Sequence, residues 1–503
     1  MKKNISRFFA IALVAFMASA CTSDFDEINT DPDAYSSAPT TNMLGDVLMR
    51  TAMQFGDDLD GTSLWSGYIC CLQYIDDYSD YIPSNNTYGN KWYQCYFGHV
   101  QLQDIVDRTD DDETRNMHNV AILWQNYLMS LCTDCFGDIP YSEAFKGAPE
   151  DGSVLQTPYD DQEDIYPQIL ENLEEVADSW ASGFGDDELG DGDFLFNGDV
   201  ELWQRFCNSL RLRIAMHISP VYSGSQSIVE TILNNPTKYP VIEECDQNAF
   251  FWWQGSGDYY ERYYNAYYTR TDYGVSDILV QHLQDMEDPR LAAIANTCLA
   301  DGVTYRGAEH GLNAQSVSEG ITYYSYIGDL YAGDPAGFTP FYRACETYYM
   351  EAEAALNGWN VPLTAEEAYE TGVLLSMEDN GVSDDDAAAY LAGAGAWDGT
   401  LNCLYFEQWV GMFKQCTEAW TFYRRTGYPT YIQTATYDDD PDTKQYPGAK
   451  SVWGSTHNDV PFRMPYPYNQ YTYNADYTEA AAANVEDYCW GEQMWWDLRS
   501  GVY

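Results

Sequence analysis

The 503-residue sequence predicts a mainly α-helical protein with unusually long loops. Two observations predict this fold class: apolar residues recur at helical spacing in several long segments, and the alternation typical of strands is sparse. Hydrophobic residues make up 45% of the chain, which supplies a core, although 79 acidic against 24 basic residues give a net charge of −55. This balance argues against nucleic acid and anionic lipid as partners of the folded body, because both require a basic surface.

The N-terminus is typical of a bacterial lipoprotein signal. Lys2, Lys3 and Arg7 form a positive region, and the apolar run 8–20 that follows is too short to span a bilayer as a stable helix. The run ends in small residues followed by Cys21, whose thiol is the acylation point in such signals. An ordinary secretory signal would explain the small residues but not the cysteine.

This interpretation divides the chain into three parts. We expect residues 1–20 to be removed, residues 21–40 to form an acidic surface tether lipidated at Cys21, and residues 41–503 to form a single α-helical domain. No other run approaches about 18 uninterrupted apolar residues, so the lipid is the only membrane anchor that we expect.

Periodic apolar positions predict the first helices of the domain. Segments 41–56 and 92–132 have helical spacing. The next predicted helix runs from Pro158 to Val176, with its acidic residues on the solvated face and its aliphatic residues inward.

Three further helices follow. Asp199 is suited to cap a helix that runs to about Ser219, because a carboxylate can accept the free N–H groups of a first turn. The segment from Arg343 to Leu356 is rich in Ala, as close helix packing requires, and is stopped by Gly358. The last predicted helix runs from Tyr405 to Tyr423, and Gly427 ends it.

Cysteine chemistry and metal binding are not favoured by the residue spacing. Cys132 and Cys135 form the only CxxC pair, and the six scattered histidines do not complete a zinc site. We expect the twelve cysteines after Cys21 to be buried or partly paired. The acidic segment 186–193 has oxygen ligands for a structural calcium ion but lacks EF-hand spacing, and a solvated acidic turn is the favoured interpretation. No other cofactor is expected.

Two aromatic stretches, 74–88 and 250–268, are the candidate ligand-binding segments. A sugar presents an apolar C–H face and a rim of hydroxyls. An aromatic ring suits the face, and a nearby carboxylate, amide or guanidinium suits the hydroxyls. The candidate ligand contacts are Tyr78, Asp80, Tyr81 and Asn85 in the first stretch, and Trp252, Trp253, Asp258, Tyr259, Tyr260, Arg262, Tyr263, Tyr264 and Tyr267 in the second.

The second stretch also has a structural interpretation. Its doubled tyrosines at 259/260, 263/264 and 267/268 follow a four-residue period, which equally predicts a helix packed on the core. The sequence leaves both interpretations open.

Seven phrases, in order along nearly all of the mature chain, resemble the SusD/RagB family of Bacteroidetes outer-membrane lipoproteins, in its SusD-like subgroup. Each phrase alone is weak, but the seven in order are specific. We expect these residues to be scaffold rather than ligand contacts. The phrases are Asp24–Asn29, Phe136–Ala144, Asn197–Arg213, Asp288–Leu291, Glu351–Trp359, Glu418–Pro429 and Trp495–Asp497.

The resemblance implies a SusD-like fold of four tetratricopeptide-like helix pairs with a loop-rich ligand-binding face. It also implies a lipid-anchored protein at the outer-membrane surface that captures a glycan or oligosaccharide and delivers it to a SusC-like TonB-dependent transporter, without chemistry. A peptide-binding member of the same family is the alternative. A glycan-processing enzyme is less favoured, because no acidic pair stands out in an apolar setting that would separate its two pKa values.

Overall fold

The computed structural model describes residues 38–56, 58–59, 61–73, 84–109, 111–146, 156–309, 320–430, 460–483, 485 and 492–502. Within these residues the chain is mainly helical, which confirms the predicted fold class. The helices of the N-terminal half are α1 (Thr40–Thr51), α2 (Thr62–Trp65), α3 (Asn85–Val106), α4 (Arg115–Phe136), α5 (Gln162–Ser182), α6 (Val200–His217) and α7 (Ser225–Leu233).

Shorter helices in the middle of the chain alternate with loops, and a second set of longer helices follows them. The middle helices are α8 (Arg262–Thr269), α9 (Asp277–Asp285), α10 (Leu291–Ile294) and α11 (Asp329–Ala332). The later helices are α12 (Ala344–Leu356), α13 (Ala365–Asp379), α14 (Asp384–Leu391), α15 (Leu401–Gly411), α16 (Cys416–Thr426), α17 (Gln470–Tyr473) and α18 (Ala475–Ala481).

Consecutive long helices pack against each other as pairs, α3 with α4, α5 with α6, α12 with α13, and α15 with α16. The core between them is rich in tryptophan, since Trp124, Trp203, Trp409 and Trp420 are completely buried. Large aromatic side chains contribute much apolar area per residue, so they stabilise a scaffold that carries long loops.

Two predicted helices are interrupted. The segment 92–132 forms α3 and α4 instead of one helix, because α3 ends at Val106 and the Asp111 carboxylate caps a new turn by accepting a hydrogen bond from Thr114 N at 2.9 Å. The predicted helix Tyr405–Tyr423 is divided into α15 and α16. Its interruption contains Lys414 in the left-handed region (φ 76°), where the side chain turns into the core.

Two short antiparallel ribbons hold α8 on both sides. Strand β2 (Ala249–Trp252) precedes α8 and pairs with β4 (Phe338–Tyr342), with Trp252 opposite Phe338. Strand β3 (Tyr273–Val275) follows α8 and pairs with β1 (Ile69–Cys71). The ribbons therefore tie the aromatic stretch 250–268 to parts of the chain that are distant in sequence.

Candidate ligand-binding site

Glu261 fixes the start of α8. Its carboxylate accepts hydrogen bonds from the backbone N–H groups of Tyr263 (2.9 Å) and Tyr264 (2.6 Å), which satisfies two free donors of the first turn. The same carboxylate pairs with the Lys414 ammonium group at 2.8 Å, and both side chains are buried. The position of α8 is thus set from inside the core.

The side chains of α8 divide among three faces, as a repeat of about 3.6 residues requires. The doubled tyrosines therefore fit both interpretations of the sequence, because some of them pack on the core and others face away from it. The three faces are a cavity face with Arg262, Asn265 and Ala266, a core face with Tyr263 and Tyr267, and a tyrosine face with Tyr264 and Tyr268.

A cavity of about 520 Å³ lies between α8, the first turns of α3 and the π-helical turn Ala52–Gly56; we call it the α3–α8 cavity. Its walls are predominantly polar. Ser84 caps α3 there, its hydroxyl accepting a hydrogen bond from Thr87 N at 3.2 Å. The amides and hydroxyls of the walls, which can bind sugar hydroxyls, belong to Gln54, Ser84, Asn86, Thr87, Asn90 and Asn265.

Two of the three cations in the α3–α8 cavity are paired with carboxylates in its wall. The ammonium group of Lys91 lies 3.1 Å from the Asp58 carboxylate, and both side chains are nearly inaccessible to solvent. The guanidinium of Arg270 lies 2.8 Å from the Asp272 carboxylate. The third cation is Arg262, whose Nε is buried and has no hydrogen-bond partner.

The tyrosine face of α8 joins Tyr260 to form a compact aromatic cluster. The ring centroids of Tyr260, Tyr264 and Tyr268 lie 5.8 to 6.1 Å apart in every pairing, and the rings of Tyr260 and Tyr268 are nearly parallel, at 16°. Tyr268 is 64% exposed. The Tyr264 ring is tilted by about 40° to the rings of Tyr260 and Tyr268, and the exposed Tyr268 ring can stack against the C–H face of a sugar.

The two tryptophans of the second stretch have opposite environments. Trp252 is 51% exposed at the end of β2, whereas Trp253 is 5% exposed and donates its Nε1–H to Thr339 Oγ1 at 2.9 Å. Successive side chains of a strand point to opposite faces, so only one of the pair can face outward. The prediction that Trp253 contacts ligand is therefore corrected, and Trp252 remains a candidate.

Tyr263 and Tyr267 are also part of the scaffold, which corrects their assignment as ligand contacts. Tyr263 is fully buried, and its ring lies beneath the Lys414 ammonium group. The Tyr267 hydroxyl donates to Tyr273 O at 2.9 Å and accepts from Ile327 N at 3.3 Å, and burial raises the pKa of Tyr267. Their hydroxyl and ring contacts hold α8 on the core.

The remaining predicted residues are exposed or fall outside the described part of the chain. Asp258 and Tyr259 are exposed in the loop before α8, and Asn85 is exposed at the first turn of α3, next to the α3–α8 cavity. The other predicted positions, Cys21, Tyr78, Asp80 and Tyr81, lie outside the described residues, and their roles stay predictions.

Sequence reasoning missed the contribution of α3 and α1 to this surface. Lys91 is not among the predicted ligand contacts, and only the fold places it opposite α8. Tyr93 is 55% exposed and stacks on Phe97, with centroids 5.0 Å apart. Arg50 of α1 pairs with Asp46 at 2.8 Å, and its guanidinium lies 6.0 Å from the centre of the Phe97 ring, so the outer end of this surface is also aromatic.

A second cavity, of about 430 Å³, is lined by Arg463, Pro465, Tyr466, Tyr468 and Tyr471 among others. Its walls are more apolar than those of the α3–α8 cavity, and it contains none of the predicted ligand contacts. Tyr468 in this cavity is 66% exposed, about as much as Tyr268.

Metal and thiol chemistry have no visible centre in the described part of the chain. No three His, Cys, Asp or Glu side chains there converge on one point. In the acidic segment 186–193, the Asp187 carboxylate accepts hydrogen bonds from Asn116 N (3.0 Å) and Met117 N (2.8 Å) at the start of α4. Each of the eleven described cysteines is a free thiol, and most of them are buried. The structural calcium ion stays an untested prediction.

The helix-pair scaffold is shared with solved SusD-type structures. A SusD homologue from Bacteroides thetaiotaomicron superposes with a TM-score of 0.75 at 23% identity, covering 92% of this chain and 100% of that one. One from Bacteroides ovatus gives 0.74 at 22%, covering 92% and 98%. A chitin-binding SusD homologue from Flavobacterium johnsoniae gives 0.76 at 22%, again covering 92% and 98%. The fold therefore defines this chain as a SusD-type scaffold.

Residues 32–449 match the model of the SusD-like family described as starch-binding and associating with the outer membrane. The chain belongs to this SusD-like family, which consists of binding proteins rather than enzymes. No curated protein sequence matches the chain. Among the described residues, no helix is both long and apolar enough to span a bilayer.

Proposed function

We propose that this protein is a cell-surface lipoprotein, acylated at Cys21, that captures a glycan or oligosaccharide and delivers it to a SusC-like TonB-dependent transporter. Binding takes place at the α3–α8 cavity and the tyrosine face beside it. The protein performs no chemistry on its ligand.

The observation that carries this proposal is the division of α8 into faces. One face lines a cavity of amide, hydroxyl and guanidinium groups, and another carries Tyr264 and the exposed Tyr268, which form a cluster with Tyr260. Sugars need both kinds of surface, an aromatic ring for their C–H face and polar groups for their hydroxyls. The family description as starch-binding supports the same ligand class.

The binding part of the proposal is tested by incubating the mature chain with a panel of polysaccharides, in affinity gels and with chromatography of the soluble products. We expect retardation by at least one polysaccharide and no new reducing ends. Release of shortened products would contradict the proposal and favour an enzyme. Retention of peptides in place of every saccharide would favour the peptide-binding alternative.

The anchor and the partner are tested in membranes. We expect mass spectrometry to find a lipid on Cys21, and the Cys21→Ala variant to leave the membrane fraction. Extraction of the intact protein with mild detergent is expected to co-purify a TonB-dependent barrel protein. A wild-type protein without lipid, or one that never associates with such a barrel, would contradict delivery to a transporter.

A further inference from the structure

Arg262 is unique among the cations that the structure describes. Every other described Lys and Arg forms an ion pair or donates to a backbone carbonyl; Arg424 and Arg463, which lack a carboxylate partner, donate to the carbonyl oxygens of Phe462 and Phe136. Arg262 alone has neither kind of contact there, and its Nε is buried without a partner.

This isolation is unexpected in so acidic a chain. The chain has 79 acidic and 24 basic residues, so more than three carboxylates are present for each basic side chain. A buried donor without an acceptor costs about 1–3 kcal/mol. The Glu261–Lys414 pair fixes the position of α8, so Arg262 cannot easily reach a carboxylate elsewhere and this cost remains.

Among the described residues of its wall, Arg262 gives the α3–α8 cavity a positive excess. The two carboxylates of these residues, Asp58 and Asp272, already pair with Lys91 and Arg270. The unpaired guanidinium therefore adds one positive charge inside a protein whose net charge is −55. The overall field repels anions, so an anion that binds here must be recognised by the cavity itself.

We infer that the captured saccharide carries a carboxylate, as in a uronic acid, and that this carboxylate pairs with Arg262. The guanidinium fork matches a carboxylate with two parallel N–H···O bonds. The wall amides of Asn86, Asn90 and Asn265 are placed to bind the hydroxyls of the same sugar. This inference rests on the proposed function, because it assigns the chemical class of the glycan bound at the same site.

The test compares ligands that differ only in charge. Oligogalacturonate and its methyl ester share the ring and the hydroxyls, and neutral chito- and malto-oligosaccharides complete the panel. We expect calorimetric titration of the mature chain to give at least about tenfold tighter binding of the acid than of the ester, since only the carboxylate can accept two charge-assisted hydrogen bonds from the Arg262 guanidinium.

Two protein variants assign the preference to the cavity. Arg262→Gln is expected to bind acid and ester with about equal affinity, so that the preference for the acid is lost. Arg108→Gln is the matched control, because Arg108 pairs with Asp104 at the other end of α3, about 30 Å from the cavity. It is expected to keep the full preference. Thermal unfolding of both variants checks that they are folded.

The outcomes separate this inference from the proposed function. If wild type binds a neutral saccharide more tightly than the acid, or binds acid and ester equally, the inference is contradicted while glycan capture stands. If the preference survives in Arg262→Gln, the carboxylate is recognised elsewhere and the inference is equally wrong. If no saccharide of a broad panel binds, both the inference and the proposed function fail.

Discussion

The Glu261 carboxylate and the Lys414 ammonium group meet at 2.8 Å with both side chains fully buried. Lys414 also donates to Tyr331 O (3.1 Å) and Phe338 O (2.6 Å), so its three N–H donors are satisfied. Glu261 in turn caps α8. A single buried ion pair therefore connects the loop between α15 and α16 to the helix that carries the candidate site.

Removal of Lys414 should leave Glu261 as a buried, unpaired charge. We expect Lys414→Met to lower the free energy of unfolding by about 3–5 kcal/mol, measured by chemical denaturation. The control is Lys146→Met, which breaks the exposed pair with Glu143 and should cost less than about 1 kcal/mol. The double variant Glu261→Gln/Lys414→Met should be more stable than Lys414→Met. A double variant less stable than Lys414→Met would show that the stranded charge is not the cause.

The adjacent tryptophans should respond in opposite ways to truncation. Trp253→Ala removes a buried ring and its hydrogen bond to Thr339, and should cost about 3–5 kcal/mol of stability. Trp252→Ala removes an exposed ring and should cost less than about 1 kcal/mol. Chemical denaturation of the two variants measures both losses of stability. Equal decreases in the free energy of unfolding would contradict the opposite environments described for Trp252 and Trp253.

The tyrosine face should contribute to glycan affinity. We expect Tyr268→Ala to weaken binding of the retained polysaccharide about three- to tenfold, because it removes a stacking ring. Tyr468→Ala is the matched control, since it deletes an equally exposed tyrosine at the second cavity. Affinity gels compare the two. If only Tyr468→Ala weakens binding, the polysaccharide binds at the second cavity instead.

Asp134 should make stability depend on pH. Burial, followed by the nearby Glu418, raises the pKa of Asp134 from 3.8 to about 7. The folded protein therefore holds a proton that the unfolded chain releases near pH 3.8, so this contribution to stability is complete at low pH and is lost as pH rises towards 7. Asp134→Asn removes the titration and should gain stability relative to wild type over this range, on the order of 2–4 kcal/mol.

The comparison with Asp134→Asn cancels groups that titrate in both proteins. His217, whose Nε2 lies 3.8 Å from the Asp134 carboxylate, has a pKa lowered by burial and acts in the opposite direction at lower pH. Because His217 and Asp134 interact at this distance, the comparison cancels only the more distant titrating groups. A stability difference that does not change between pH 4 and pH 7 would contradict the raised pKa.

Local signals in the sequence were sufficient where the cause of a structure is local. Asp199 caps α6 as predicted, accepting hydrogen bonds from Glu201 N (3.0 Å) and Leu202 N (3.2 Å). Gly427 ends α16 in the left-handed conformation, with φ 75°. In both cases the physical reason lies within one helical turn of the residue.

Predictions failed where the cause is a contact with a distant part of the chain. The interruption between α15 and α16 depends on Lys414 reaching Glu261, which is far away in sequence. The doubled tyrosines indicated a helix but not its orientation, so Tyr263 could not be distinguished from Tyr264. Lys91 and Arg262 belong to one cavity only because α3 and α8 meet in the fold.

The central claim is that a saccharide binds between α3 and α8, and hydrogen–deuterium exchange of the mature chain tests it most directly. With a saturating concentration of the tightest-binding saccharide of the panel, we predict slower amide exchange in segments 84–91 and 262–270 than in the free protein. Protection confined to segment 463–485, or no protection in these two segments despite measured binding, would contradict the account.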